Sequence, residues 1–108
     1  MFNLNLSQKC YRLLSQIPRG KISTYKKIAE TLDTKAYRAV GSAMAKNPNP
    51  ITVPCHRIIN NNGKIGGYAL GVNEKIKLLE DEGFTIKKGK VLNFEKHIHK
   101  FKQKGYIN

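Results

Sequence analysis

The chain is short of acid. Against 20 Lys and Arg it carries only 7 Asp and Glu, giving a formal net charge of +13 over 108 residues. A field of that sign attracts polyanions, so nucleic acid is the leading partner and an acidic membrane surface the second. Long apolar runs are also missing. No stretch approaches the roughly 20 residues of a membrane span, and the opening MFNLNLSQ lacks the basic-then-apolar order of a secretion signal. These absences point away from membrane insertion and export, toward an intracellular protein in the cytoplasm, at the nucleoid or in the nucleus. Cysteine is scarce, with two residues. An intracellular chain keeps its thiols reduced, so Cys10 and Cys55 are judged separately rather than as a disulfide. Two Cys and three His at positions 10, 55, 56, 97 and 99 do not form the close pairs that structural zinc sites use, and no metal is expected.

What is present suits one domain. A hydrophobic fraction of 40% and four separated prolines fit a globular chain rather than a disordered one, and the length allows a single core. Binding and any chemistry must therefore share it. Residues 7–17 place Cys10, Leu13, Leu14 and Ile17 at helical spacing, with Ser7 as the expected N-cap and Pro18 and Gly20 as stops. Cys10 reads there as a small buried hydrophobe. Ser23 or Thr24 is positioned to cap a second helix carrying Ile28, Ala29 and Leu32, and Asp33-Thr34-Lys35 makes a turn. A third helix, AYRAVGSAMAK from Ala36 to Lys46, is closed by Asn47 and the prolines Pro48 and Pro50. Two short helices joined by a tight turn form a helix-turn-helix candidate. The small residues of the third helix permit close approach to another surface, or simply tight packing of its own core. Arg38, lying among them, fits a DNA contact.

From Ile51 the composition leans toward β, with ITVPCHRII, an Asn62-Gly63 hairpin-turn signal, and IGGYALG, whose Gly66, Gly67 and Gly71 surround Tyr68. NEKIKLLEDEG, from Asn73 to Gly83, then reads as a capped helix with Ile76, Leu79 and Leu78 inward, ended by Gly83. Beyond it, Thr85-Ile86 and Lys90-Val91-Leu92 form a short β-like pair about Lys88-Gly89. The lysine-rich tail is expected to be a solvated basic face, its last dozen residues helical or disordered.

The chemistry concentrates in PCHR. A thiol of ordinary pKa about 8.5 is mostly protonated at neutral pH, so a nucleophilic cysteine needs a base or a nearby positive charge. His56 and Arg57 are placed to supply these. Neighbouring side chains on an extended segment point to opposite faces, so a direct Cys55 to His56 hydrogen bond requires a local turn or a bridging water. A histidine base also wants an orienting acceptor, and seven carboxylates are available: Glu30, Asp33, Glu74, Glu80, Asp81, Glu82 and Glu95. Spacing does not choose among them.

NPNPITVPCHRIINNNGKIGGYALG, preceded by ISTY and YRAVGSAM and followed by KLLEDEG, resembles the methylated-DNA–protein-cysteine methyltransferases, the O6-alkylguanine-DNA alkyltransferases, over roughly residues 7–86. The resemblance implies a mostly α (α+β) fold: a winged helix-turn-helix-like DNA-binding and catalytic domain with a small β hairpin, over residues 1–86, followed by a basic C-terminal extension, 87–108. It implies that Cys55 accepts an alkyl group from O6 of guanine in double-stranded DNA, that His56 is the base acting through a water, and that Glu82 orients His56. Asn47 would tie the recognition helix to the Cys55 segment. Tyr25 would rotate the phosphate and donate a proton to the leaving guanine, and Arg38 would fill the stack after the nucleotide flips through the minor groove. Met44 and Tyr68 would wall the pocket, the backbone of Cys55, Ile58 and Ala69 would hydrogen-bond the base, and Lys75 would favour the thiolate. No cofactor is implied, and a monomer acting once is expected.

Two departures from the family stand out. Leu70 replaces a small residue common in relatives, which would narrow the pocket mouth, and the resemblance starts near residue 7, so the family's usual N-terminal domain is expected to be lacking. Alkyltransferase-like proteins are similarly short but carry Trp in place of the acceptor Cys, and they bind lesions without repairing them. A lesion sensor is therefore the alternative to an enzyme, and a basic DNA-coating or ribosome-associated protein a third reading that leaves PCHR, Tyr25 and Glu82 unexplained.

Overall fold

The computed structural model describes residues 5–49 and 52–101. The first helix, α1, spans Leu6–Leu14 and begins one residue earlier than the apolar pattern suggests. Its cap is Asn5, not Ser7. Asn5 Oδ1 accepts from the Gln8 amide at 2.8 Å while Gln8 Oε1 accepts from the Asn5 amide at 3.0 Å, so two otherwise orphaned donors are satisfied reciprocally. Cys10, Leu13 and Leu14 face the core. Ile17 follows on a tighter turn and is also buried.

A short strand, β1 (Ser23–Thr24), leads directly into α2 (Tyr25–Thr31), capped by the Thr24 hydroxyl, which accepts from the Lys27 amide at 3.0 Å. Helix α2 closes in a Schellman turn: the Asp33 and Thr34 amides donate back to the Glu30 and Ala29 carbonyls, and Asp33 takes φ +56°. That left-handed residue turns the chain into α3 (Tyr37–Ala45) within a few residues. Helix α3 packs on both α1 and α2. Val40, Ala43 and Met44 point inward, and Tyr11 of α1 donates its hydroxyl to the Ala43 carbonyl at 2.8 Å. The helix-turn-helix expected from the sequence is present.

Ile58–Ile59 forms β2, which pairs in parallel with β1 in the register Ser23 to Ile58 and Thr24 to Ile59. The Asn60–Lys64 turn closes as its Asn-Gly signal suggests, with Gly63 at φ +92°. The strands flanking it nevertheless do not pair with each other. Ile58 and Ile59 are both fully buried, and a strand covered on both faces gains more from an interior parallel partner than from a hairpin neighbour. The hairpin of the fold lies further on, where β3 (Ile86–Lys87) and β4 (Lys90–Val91) pair antiparallel about Lys88 and Gly89, both at positive φ. Amides of Ile65 and Val91 extend this wing by donating to Gly89 and Gly63 carbonyls.

Between them runs α4 (Val72–Asp81), which starts after Gly71 with no side-chain cap rather than as a capped helix from Asn73. It also ends in a Schellman turn, with Gly83 at φ +98° and the Gly83 and Phe84 amides donating to the Glu80 and Leu79 carbonyls. Phe84 and Leu79 join one buried cluster, so the turn is locked by packing as well as hydrogen bonds. Its consequence is positional: Glu82 becomes the C-cap of α4. The start of the basic tail is integrated into the fold. Val91 is buried, Ile98 bridges Ile22 in parallel, and the Ile22 and His99 amides exchange bonds with His97 and Ile22 carbonyls. The expectation of a helical or disordered last dozen falls mostly on residues 102–108, outside the described residues.

Candidate active site

Asn47 connects the end of α3 to the PCHR segment. Its Nδ2 donates to the Val53 carbonyl at 2.8 Å and its Oδ1 accepts from the Asn49 amide at 3.0 Å. Pro54 then starts a 3-10 turn over Cys55–Arg57, closed by the Arg57 amide donating to the Pro54 carbonyl at 3.0 Å. The turn removes the objection that an extended backbone raises: Cys55 and His56 no longer have to diverge to opposite faces.

Cys55 is 4% exposed and opens onto a pocket of about 230 Å³. Tyr25 from the start of α2, Met44 from α3, and Tyr68 and Ala69 from the glycine-rich loop share its wall. Gly41 and Ala45 of α3 and Gly67 complete it, members of the small-residue helix and the glycine loop that the sequence marks for close approach without assigning them to the site. Their signal was present as small residues on a helix and a glycine cluster, but smallness alone also suits a packed core. Leu70 is not among the lining residues and stands 51% exposed. A second groove, about 920 Å³ and more open, is lined by Lys26, Lys27, Phe94 and Phe101 among others and contains none of the expected site residues.

Behind the thiol, buried His56 places Nε2 2.7 Å from Glu82 Oε2, bringing a helix cap against a residue 26 positions earlier. His56 Nδ1 is buried and has no hydrogen-bond partner among the described residues. A neutral imidazole donating from Nε2 to the carboxylate would keep Nδ1 as a proton acceptor. Tyr68 stands edge-on to the same ring, with centroids 6.4 Å apart. Arg57 was expected to contribute charge near the thiol; instead it grips Glu82, with Nε to Oε1 at 2.9 Å and Nη2 to Oε2 at 2.9 Å.

Burial pushes the Cys55 thiol up, outweighing the hydrogen bond from Asn47 and the charge of Lys75, both of which favour thiolate. The Cys55 thiol is thus protonated at neutral pH, and a thiolate there would need a base to form. Burial pushes His56 down, against the pull of Glu82 and with help from the positive charges of Arg57 and Lys75, so the imidazole is neutral near pH 7. Burial acts to raise Glu82, but bonds from Arg57, His56 and the Gly20 amide outweigh it and hold the carboxyl below its ordinary value. Tyr25 is raised by burial and by the Cys55 charge, so it keeps its proton.

Lys75 is fully buried, with Nζ donating to the Ile58 carbonyl at 2.5 Å and the Gly67 carbonyl at 3.1 Å. The Ile58 side chain belongs to the core rather than the pocket wall. Arg38 is exposed on α3 and is not among the pocket-lining residues. Among the described residues there is no group of three or more potential metal ligands, and no helix long and apolar enough to cross a membrane.

Fold and site together define a winged helix-turn-helix domain with a buried thiol backed by a histidine–carboxylate pair. The chain belongs to the family described as 6-O-methylguanine DNA methyltransferase, DNA binding domain, whose model matches residues 5–84. It is 46% identical over 86 residues to a methylated-DNA–protein-cysteine methyltransferase of Sulfolobus acidocaldarius, covering 80% of this chain and 54% of that protein. The crystal structure of Mycobacterium tuberculosis OGT in complex with DNA is similar with a TM-score of 0.70 and 41% identity, over 75% of this chain and 51% of the other. S. pombe Atl1, in complex with damaged DNA containing O6-carboxymethylguanine, aligns with a TM-score of 0.77 and 32% identity, over 94% of this chain and all of Atl1. The chain therefore spans about half the length of the Sulfolobus methyltransferase and of M. tuberculosis OGT, and the whole length of Atl1.

Proposed function

We propose that the protein repairs DNA by moving an alkyl group from O6 of guanine in duplex DNA onto Cys55, once per molecule. One observation carries this reading: the Cys55 thiol ends a base-sized pocket flanked by two tyrosines, and the His56–Glu82 pair, 2.7 Å apart, lies behind it. About 230 Å³ is below the usual range for drug-sized ligands and suits one nucleobase, which must leave the stack to enter. The thiol proton passes through a water to His56 Nδ1. The sulfur then attacks the alkyl carbon, forming an S–C bond as the C–O6 bond breaks, and the electron pair departs with guanine. Tyr25 supplies the proton the leaving base takes up. The thioether does not revert, so the protein is consumed.

Exposed Arg38 on α3 would fill the gap in the stack, and Met44, Tyr68 and Ala69 with the backbone of Cys55 and Ile58 would hold the flipped base. The +13 charge supports binding to DNA, which the proposed protein engages as a monomer through its helix-turn-helix, in whichever compartment holds the DNA. The test is incubation with a duplex containing O6-methylguanine, followed by intact mass and peptide mapping. A gain of one methylene on Cys55 in one-to-one yield is expected.

The full-length match to Atl1 favours a second reading, a lesion sensor that binds without transfer. Tight binding with no mass gain would select it. The presence of Cys55 in the pocket wall supports the enzyme.

A further inference from the structure

The third residue of the Cys-His-Arg turn has no part in the chemistry above, yet it makes more directed bonds than either neighbour. Arg57 Nε reaches both Glu82 oxygens, at 2.9 and 3.1 Å, Nη2 reaches Oε2 at 2.9 Å, and Nη1 donates to the Ile17 carbonyl at 2.7 Å. The guanidinium is thus anchored at both ends. Glu82, only 4% exposed in its side chain, also accepts from the Gly20 amide at 3.2 Å. As the C-cap of α4 it sits at the negative end of the helix dipole, a poor place for a carboxylate without donors.

A buried carboxylate with only an imidazole beside it would draw a second proton onto that imidazole to balance its charge. An imidazolium cannot accept another. With a permanent cation already on the carboxylate, a neutral Nε2–H suffices. We propose that Arg57 is a positioning residue for alkyl transfer, holding Glu82 so that it accepts a hydrogen bond from the Nε2–H of a neutral His56 and leaves Nδ1 as the proton acceptor. The proposal rests on the transfer reading given above. The charged and titratable groups facing His56 are Glu82 and Lys75 from α4, Arg57 and Cys55 from its own turn, and Tyr68 from the loop. Both cations act in the same direction, so Arg57 must be tested with Lys75 in place.

Single-turnover transfer from an O6-methylguanine duplex, followed across pH in the full chain, is to be paired with nitrogen NMR of His56. Wild type should show the Nε2–H tautomer. In Arg57→Gln the acid limb of the rate profile and the His56 titration should move up together by about one pH unit, so the deficit against wild type grows about tenfold below the limb. Arg57→Lys keeps the charge but loses the fork, so its limb should stay in place while its rate falls at every pH; should Arg57→Gln not fold, this variant decides alone. Parallel profiles with an unshifted His56 titration in Arg57→Gln, or wild-type rates in Arg57→Lys, would overturn the proposal. If wild type takes up no methyl group, the functional reading fails instead, and the NMR titration, which needs no substrate, still reports whether Arg57 sets the state of His56.

Discussion

Replacing Lys75 with methionine tests the most unusual burial in the molecule. The ammonium is fully buried on two carbonyls, and burial pulls its pKa from 10.5 down to about 8, with the Cys55 charge opposing. The folded state therefore gives up its proton first. Between about 8 and 10.5 the unfolded chain holds more protons, so stability rises with pH across that window and gains nothing below it. The full shift corresponds to about 3 kcal/mol at about 1.4 kcal/mol per pH unit, of which about 2 kcal/mol should be realised between pH 7 and 9.5. Urea unfolding of wild type and Lys75→Met at those two pH values cancels every group that titrates alike in both. Wild type should gain about 2 kcal/mol on the variant as pH rises. Repeating the pair in a Cys55→Ser background removes the thiolate whose charge reaches Lys75. A stability difference that stays flat from pH 7 to 9.5 would show that the ammonium is not held near 8, and the reasoning from burial would fail.

Glu82→Gln should cost about 3 kcal/mol in urea unfolding, because it leaves Arg57 without its carboxylate. The same variant should lack the wild type's acid-side loss, since the Glu82 contribution is present above 4.5 and disappears as pH falls below it. Tyr25→Phe should slow single-turnover transfer about 100-fold while leaving lesion binding near wild type, as expected of a lost proton donor; an unchanged rate would remove Tyr25 from the chemistry. Arg38→Ala, at an exposed position, should change stability by no more than about 0.5 kcal/mol but slow transfer from duplex relative to transfer from the free alkylguanine base. Gly63→Ala should lower stability by more than about 1 kcal/mol, because φ is +92° and the new Cβ would lie 2.6 Å from Phe94 Cδ1.

Much of this fold could be read locally, because caps and turns are decided by a few adjacent residues. The α2–α3 turn, the helix ended by Gly83 and the Lys88-Gly89 hairpin all stand where their residues suggest. Ser7 looks like the cap because a serine opening an apolar pattern is the commoner signal, while the true cap, Asn5, lies before that pattern and is recognisable only through its pairing with Gln8. Ile58 and Ile59 look like one arm of a hairpin, yet their partner is β1, some 35 residues earlier, since pairing follows which faces are buried and not which turn is nearest.

The chemistry divides the same way. PCHR identifies a thiol in need of a base from its own four residues, and the family's ordered blocks extend that to named partners. From the residues alone, seven carboxylates remained open to His56, and a lysine in a charged helix gave no hint of full burial. Only the packing of α4 against the Cys55–Arg57 turn brings Glu82 to His56, turns Arg57 away from the thiol and onto Glu82, and seals Lys75 beneath the pocket loop. Charge, caps and the reactive motif belong to neighbours in sequence and are written there. Which carboxylate meets the imidazole depends on long-range burial, where the cost of leaving a buried charge unpaired selects the partner.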